Sequence, residues 1–144
     1  MSRRINCEGL DLVKRFEGCE LKAYLCPAKV WTIGYGSTGA HVKPGMVITQ
    51  EQADELLRSD LRRFEDWVDA NCSPSTDNQF SALVSFAFNV GDGALKTSTL
   101  RREHMAGNYE AAAVQFRRWN KGGGRILPGL VKRRTAEEAL YRRA

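Results

Sequence analysis

Two hydrophobic periods share this chain. From residue 6 to 16 the apolar positions Leu10, Leu12, Val13 and Phe16 return at helical spacing, and Glu17-Gly18 ends the run, glycine being favoured just past a helix C-terminus. The pattern then changes. Residues 21–25 and 30–35 are rich in aromatic and β-branched side chains, and Cys26-Pro27-Ala28-Lys29 between them supplies a turn. A third short strand is expected at 46–48, after the Pro44-Gly45 turn. Three antiparallel strands of this length make a sheet too thin to stand alone, so a helix must cover it.

The helical period returns at residue 50. Ala53, Leu56, Leu57, Leu61, Phe64, Trp67 and Val68 fall on one face of a helix over about 50–71. Thr49 and Gln52 form a capping box at its start, and Ser73-Pro74 stops it. Only helices are expected from Ser75 onward. Residues 77–90 are almost uniformly apolar in their second half, which predicts burial on most sides, and Gly91-Asp92-Gly93 terminates them. Thr97 or Ser98 caps a helix ending at Gly107, and another starts at Asn108 or Tyr109 and runs to about Trp119. Residues 121–125 read as a flexible glycine loop. A last helix over 129–143 would turn Leu130, Val131, Ala136, Ala139 and Leu140 inward. The order predicts an α+β fold in a single domain over 1–144: a helix-and-sheet lobe over about 1–49, a connecting helix over about 50–72 and a helical lobe over about 73–144.

Composition narrows the class without choosing a function. With 144 residues, 42% hydrophobic and 27% charged, the chain reads as one globular domain with a normal core. The net charge of +5, concentrated toward the C-terminal end, suits a polyanion such as nucleic acid, an acidic membrane face or an anionic cell wall. No apolar run approaches the ~18 residues that span a bilayer, and the basic start lacks an apolar core, so neither stable membrane insertion nor a secretory signal is expected. Cys7, Cys19, Cys26 and Cys72 match no zinc spacing, and His41 and His104 add little to them. No metal or cofactor is expected, and most of the cysteines read as free thiols.

The candidate chemistry gathers between Glu17 and Ser37. Glu17 sits between Phe16 and Gly18 and faces strands carrying Tyr24, Trp31 and Tyr35. Apolar surroundings penalise an ionised carboxyl and raise its pKa, as a general acid near neutral pH requires. Cys26 and Thr32, six apart across a tight turn, can share a face of the hairpin; alternatively, Cys26 is a small buried hydrophobe and Thr32 only a strand former. Gly34-x-Gly36 follows a strand but precedes no helix, which argues against a phosphate loop. Asn89 ends an apolar run, so its amide either satisfies buried backbone or reaches into a cleft. The basic run over 129–134 either is a solvated face or lines an anionic groove.

Taken together, these residues resemble the phage-type lysozymes, the endolysins with which bacteriophages open their hosts. The resemblance spans nearly the whole chain. It is carried by Glu17-Gly18, Leu21-x-Ala23-Tyr24, Trp31-Thr32-Ile33-Gly34-Tyr35-Gly36, the segment from Ser85 to Gly91, Trp119 with the glycines after it, and the segment from Leu127 to Arg134. The family signature of Glu, eight residues, Asp or Cys, five residues, Thr reads here as Glu17, Cys26, Thr32. The resemblance implies a lysozyme-like fold and hydrolysis of the β-1,4 bond between N-acetylmuramic acid and N-acetylglucosamine in peptidoglycan, in a cleft between a sheet lobe and a helical lobe. Glu17 would protonate the glycosidic oxygen, Cys26 would activate water or attack directly, and Thr32 would orient that water. Tyr35, Ser37 and Asn89 would contact substrate. The expected partner is the glycan strand, with no nucleic acid, and the chain is expected to be a monomer. It would wait in the host cytoplasm before acting on the periplasmic wall.

Two departures from the family pattern carry consequences. Cys26 stands where aspartate is commoner, and a thiol needs a stabilised thiolate to do the same work. Ser37 stands where many relatives have histidine after Gly-x-Gly, which removes an ion-pair partner. The cysteine also suggests a redox cage, with oxidation linking Cys26 to Cys19 or, less favourably, Cys7. Competing readings are a lytic transglycosylase, which needs one carboxyl and leaves an anhydro end, a non-catalytic wall binder, and a basic nucleic-acid module. The last lacks a recognition helix or zinc pattern, and its basic residues are dispersed among acidic ones.

Overall fold

The computed structural model describes residues 3–143. Their contacts divide into two units, one formed by Lys14–Arg63 and the other by the chain up to Val13 together with everything from Phe64 onward. Helices α1 (Cys7–Glu17) and α2 (Gln50–Asn71) each contribute residues to both.

The first unit holds an antiparallel sheet in the order β1 (Glu20–Leu25), β2 (Trp31–Gly34), β3 (Ser37–Thr38). The apolar pattern predicts the third strand at 46–48. That segment instead lies along the free edge of β1 through a single Lys22–Val47 bridge, with the Ala23 amide donating to the Met46 carbonyl at 2.9 Å and the Ile48 amide to Leu21 at 2.8 Å. The true third strand follows β2 directly because Gly36, at φ +86°, lets the chain reverse after Tyr35. The α2 start is capped as expected: Thr49 and Gln52 exchange reciprocal bonds of 2.9 and 3.1 Å. Ala23, Ile33, Val42, Ile48, Ala53, Leu57 and Leu61 form the core between sheet and helix. Gly34 ends β2 at φ +64°, a left-handed backbone that favours glycine.

The second unit is helical and centres on α3 (Asp77–Val90), whose residues from Gln79 to Ala87 are all buried. Phe86 sits at its middle, with Phe116 and Trp119 edge-on at 5.5 and 5.3 Å. Around it run α4 (Asp92–Lys96), α5 (Thr99–Met105), α6 (Tyr109–Gln115), a 3-10 turn (Phe116–Arg118) and α7 (Pro128–Arg142). Ser98 caps α5, its hydroxyl accepting from the Arg101 amide at 3.0 Å. The expectation of helices alone is corrected at 121–125. There β4 (Lys121–Gly122) and β5 (Arg125–Ile126) form a hairpin, with Gly123 and Gly124 both at positive φ in the two-residue turn.

The inner face of α7 also differs from the apolar pattern. Val131 is 39% exposed and Ala139 is exposed, whereas Arg133, Arg134, Glu137 and Glu138 are buried beside Leu140 and Tyr141. Glu137 accepts from Ser85 at 2.6 Å, Arg133 at 3.2 Å and Arg134 at 2.5 Å. Arg133 and Arg134 are therefore not a solvated face. They are buried ions held by a shared carboxylate.

Candidate active site

Glu17 is the last residue of α1 and is half-buried. Gly18, at φ +71°, turns the chain away from the helix while its amide donates to the Lys14 carbonyl at 3.1 Å. The carboxylate lies against the turn between β2 and β3, where a Cβ at Gly36 would stand 3.4 Å from Glu17 Oε1. The helix end thus carries the acid to the glycine of the next loop.

Cys26 and Thr32 meet on the hairpin. In the β1–β2 register Tyr24 pairs with Thr32 and Leu25 with Trp31. The ladder continues one step further, the Cys26 amide donating to the Val30 carbonyl at 3.0 Å. A four-residue turn closes it, the Lys29 amide donating to the Cys26 carbonyl at 2.8 Å with Lys29 itself at φ +62°. Alternation then puts Tyr24, Cys26 and Thr32 on one face. The thiol is held below its ordinary pKa, chiefly by the Val30 backbone and then by Ala28 and the Thr32 hydroxyl, with partial burial working against them. These groups favour a thiolate, the form that acts as base or nucleophile. The Thr32 hydroxyl has one proton and two acceptors within reach, the Val30 carbonyl at 3.0 Å and the Cys26 sulfur.

Tyr35 and Ser37 sit deeper than substrate contacts usually do. Tyr35 is 8% exposed, and its hydroxyl accepts from Gln50 at 2.9 Å, which also receives a long 3.9 Å bond from the Cys19 thiol. Ser37 is 2% exposed. Its hydroxyl donates to Asp60 and accepts from His41 Nε2 at 3.0 Å. Burial raises the Asp60 pKa, opposed by Ser37 and His41. In the helical unit Asn89 is exposed near the end of α3, its carbonyl oxygen accepting from Arg134.

Sequence reasoning missed Gly36 as a neighbour of the acid, the Ser37–His41–Asp60 cluster and the role of Glu137. The Arg133, Arg134 and Glu137 spacing of four and three on one helix was the available signal for the last. The Cys19–Cys26 form of the redox cage is corrected by β1. Six extended residues separate Cys19 from Cys26, roughly 20 Å at strand rise, whereas a disulfide needs Cα atoms within about 7 Å. Such a bridge requires β1 to be dismantled, and all four cysteines are free. Cys72 is buried, its thiol pushed up to about 11 by that burial. Among the described residues no group of His, Cys, Asp and Glu could hold a metal ion. A cavity of about 460 Å³ in the helical unit, lined by Arg117, Arg134, Glu138 and Arg142, lacks an acid–thiol pair. Two of its arginines already grip Glu138.

The family model for phage lysozyme matches residues 14–137. The chain belongs to the phage lysozyme family. Among its relatives, an endolysin of Bacillus phage B103 is 49% identical over 95% of this chain, which spans 53% of that protein. The chain therefore covers about half the length of that relative. An endolysin from Acyrthosiphon pisum secondary endosymbiont phage 1 is 44% identical, with 97% of this chain and 99% of that one aligned. A solved P22 lysozyme superimposes with a TM-score of 0.89 at 39% identity, covering 96% of this chain and 98% of the other. The family and the lysozyme-like α+β fold implied by the signature residues are thus both found.

Proposed function

We propose that this phage lysozyme hydrolyses the β-1,4 bond between N-acetylmuramic acid and N-acetylglucosamine in peptidoglycan, causing host cell lysis. The observation that carries the reading is the shared hairpin face of Cys26 and Thr32 with its stabilised thiolate, in the same unit as a half-buried carboxyl fixed over Gly36. Glu17 hands its proton to the glycosidic oxygen as the bond to the anomeric carbon breaks. By one route the Cys26 thiolate accepts a proton from water as that water bonds to the anomeric carbon. By the other, its sulfur bonds to that carbon first and water later displaces it, with Glu17 now taking the water's proton. Both routes consume one water and leave one new reducing end. The anomer released first tells them apart. Thr32 turns its hydroxyl proton toward the thiolate. Tyr35 and Ser37 act from beneath, fixing the Gly36 turn.

The positive charge of the chain suits an anionic wall. In this reading the enzyme works as a monomer, held in the host cytoplasm until perforation of the inner membrane gives it access to the periplasmic wall. Turbidity loss of outer-membrane-permeabilised cells tests the assignment. The unaltered protein should clear the suspension, and Glu17→Gln and Cys26→Ser should not. Clearing by Glu17→Gln refutes the acid role, and anhydro ends in place of reducing ends refute hydrolysis.

A further inference from the structure

Tyr24 is the one tyrosine placed on the face that carries Cys26 and Thr32. Of the other three, Tyr35 and Tyr141 are buried, and Tyr109 lies against the His104 ring at 5.4 Å. Tyr24 is 40% exposed although it stands opposite Thr32, which is 4% exposed. Among the described residues no ring, cation or hydrogen-bonding side chain engages it. Its neighbour along that face is Cys26, two positions on, about 7 Å away along a strand.

We infer that Tyr24 is a stacking platform for the N-acetylhexosamine unit adjoining the one attacked at Cys26, an inference that rests on the glycan reading above. A pyranose has an apolar C–H face and a rim of hydroxyls. Tyrosine matches both, with a rigid apolar ring and a polar tip, and ordering its two torsions costs little entropy. The spacing of the two positions along the strand is of the order of one sugar unit, so a ring at 24 suits the sugar neighbouring the one at Cys26. Tyr24 thereby positions the chain and takes no part in proton transfer.

The test uses the full chain in a Glu17→Gln background, titrated with uncross-linked peptidoglycan glycan strands and followed by tryptophan fluorescence. Tyr24→Leu, which keeps apolar bulk without a ring, should weaken binding by about five- to tenfold, while Tyr24→Phe and Tyr24→Trp stay within about twofold. In the active enzyme Tyr24→Leu should raise KM by a similar factor with kcat nearly unchanged. A purely structural role would lower the melting temperature of the leucine variant and leave its affinity alone, which overturns the inference. Equal binding by leucine and phenylalanine variants also overturns it, while the glycan reading stands. If the Glu17→Gln parent itself fails to bind and the unaltered protein fails to lyse cells, both fall together.

Discussion

The Glu17 carboxylate rests on Gly36, close enough that an added Cβ would lie 3.4 Å from Oε1. Gly36 also needs its φ of +86° to reverse the chain between β2 and β3. Gly36→Ala therefore combines backbone strain of about 1–2 kcal/mol with a new methyl group in van der Waals contact with the acid, which narrows the carboxylate's access to a bound sugar. Gly45 separates the two effects, because it has φ +79° and open space where its Cβ would go. We expect both alanine variants to lose similar stability by thermal melting, with activity falling about tenfold further only in Gly36→Ala.

The Cys26 thiol titrates below its ordinary range because the Val30 and Ala28 backbone and the Thr32 hydroxyl favour its anion. If the thiolate is the working form, activity must rise with pH through that lowered pKa. Cys26→Asp replaces the thiol by a group ionised several units lower, so the rising limb of the pH–rate profile should move to the acid side by that amount. Thr32→Val removes one donor and should move the limb the other way, to higher pH. A limb unmoved by either substitution would remove Cys26 from the mechanism.

His104 is 2% exposed and ties α5 to its surroundings. Its Nε2 faces the carbonyls of Cys72 and Pro74 at 2.9 and 3.0 Å, so Nε2 carries the proton and Nδ1 accepts from the Tyr141 hydroxyl at 2.6 Å. Burial holds its pKa below the ordinary value, outweighing those carbonyls. The unfolded chain thus takes up this proton first, so the contribution is complete above the ordinary histidine range and is lost as pH falls through it. The melting temperature should drop between about pH 7 and pH 5. His104→Gln should be less stable at pH 7 by about 1–3 kcal/mol and should flatten that drop.

Glu137 is the shared acceptor of Ser85, Arg133 and Arg134 inside the helical unit. Replacing it by alanine leaves two buried guanidinium groups without their common carboxylate, at a cost of about 3–5 kcal/mol. Adding Arg134→Met should recover part of that loss, so the pair is expected to be non-additive in a double-mutant cycle read by denaturant unfolding.

Much of this fold is legible where local chemistry and burial agree. The Thr49–Gln52 capping box marks the start of α2 to the residue. The turn after Cys26 sets the hairpin on which Cys26 and Thr32 meet. Other parts depend on information that apolar periodicity does not carry. Met46, Val47 and Ile48 look more strand-like than Ser37-Thr38, yet the third strand forms where the Gly36 turn directs the chain. Gly122-Gly123-Gly124 suggests a loose loop, but two consecutive positive-φ residues make a tight hairpin. The α7 pattern misleads for a different reason. Its buried face is built from arginine and glutamate, whose burial depends on pairing that a hydrophobicity count scores as exposure. The burial of Tyr35 and Ser37 likewise follows from Gln50, Asp60 and His41, partners up to 23 positions away from Ser37.

The six-residue span of β1 acts as a ruler on the molecule's history. While the strand is intact, its two flanking sulfurs cannot find each other, and aerobic storage leaves the working thiol open to oxidants arriving from solution. A Cys19–Cys26 cross-link recovered from a preparation would therefore count the molecules whose hairpin has come apart, and reduction followed by regained lysis would count those able to rebuild it.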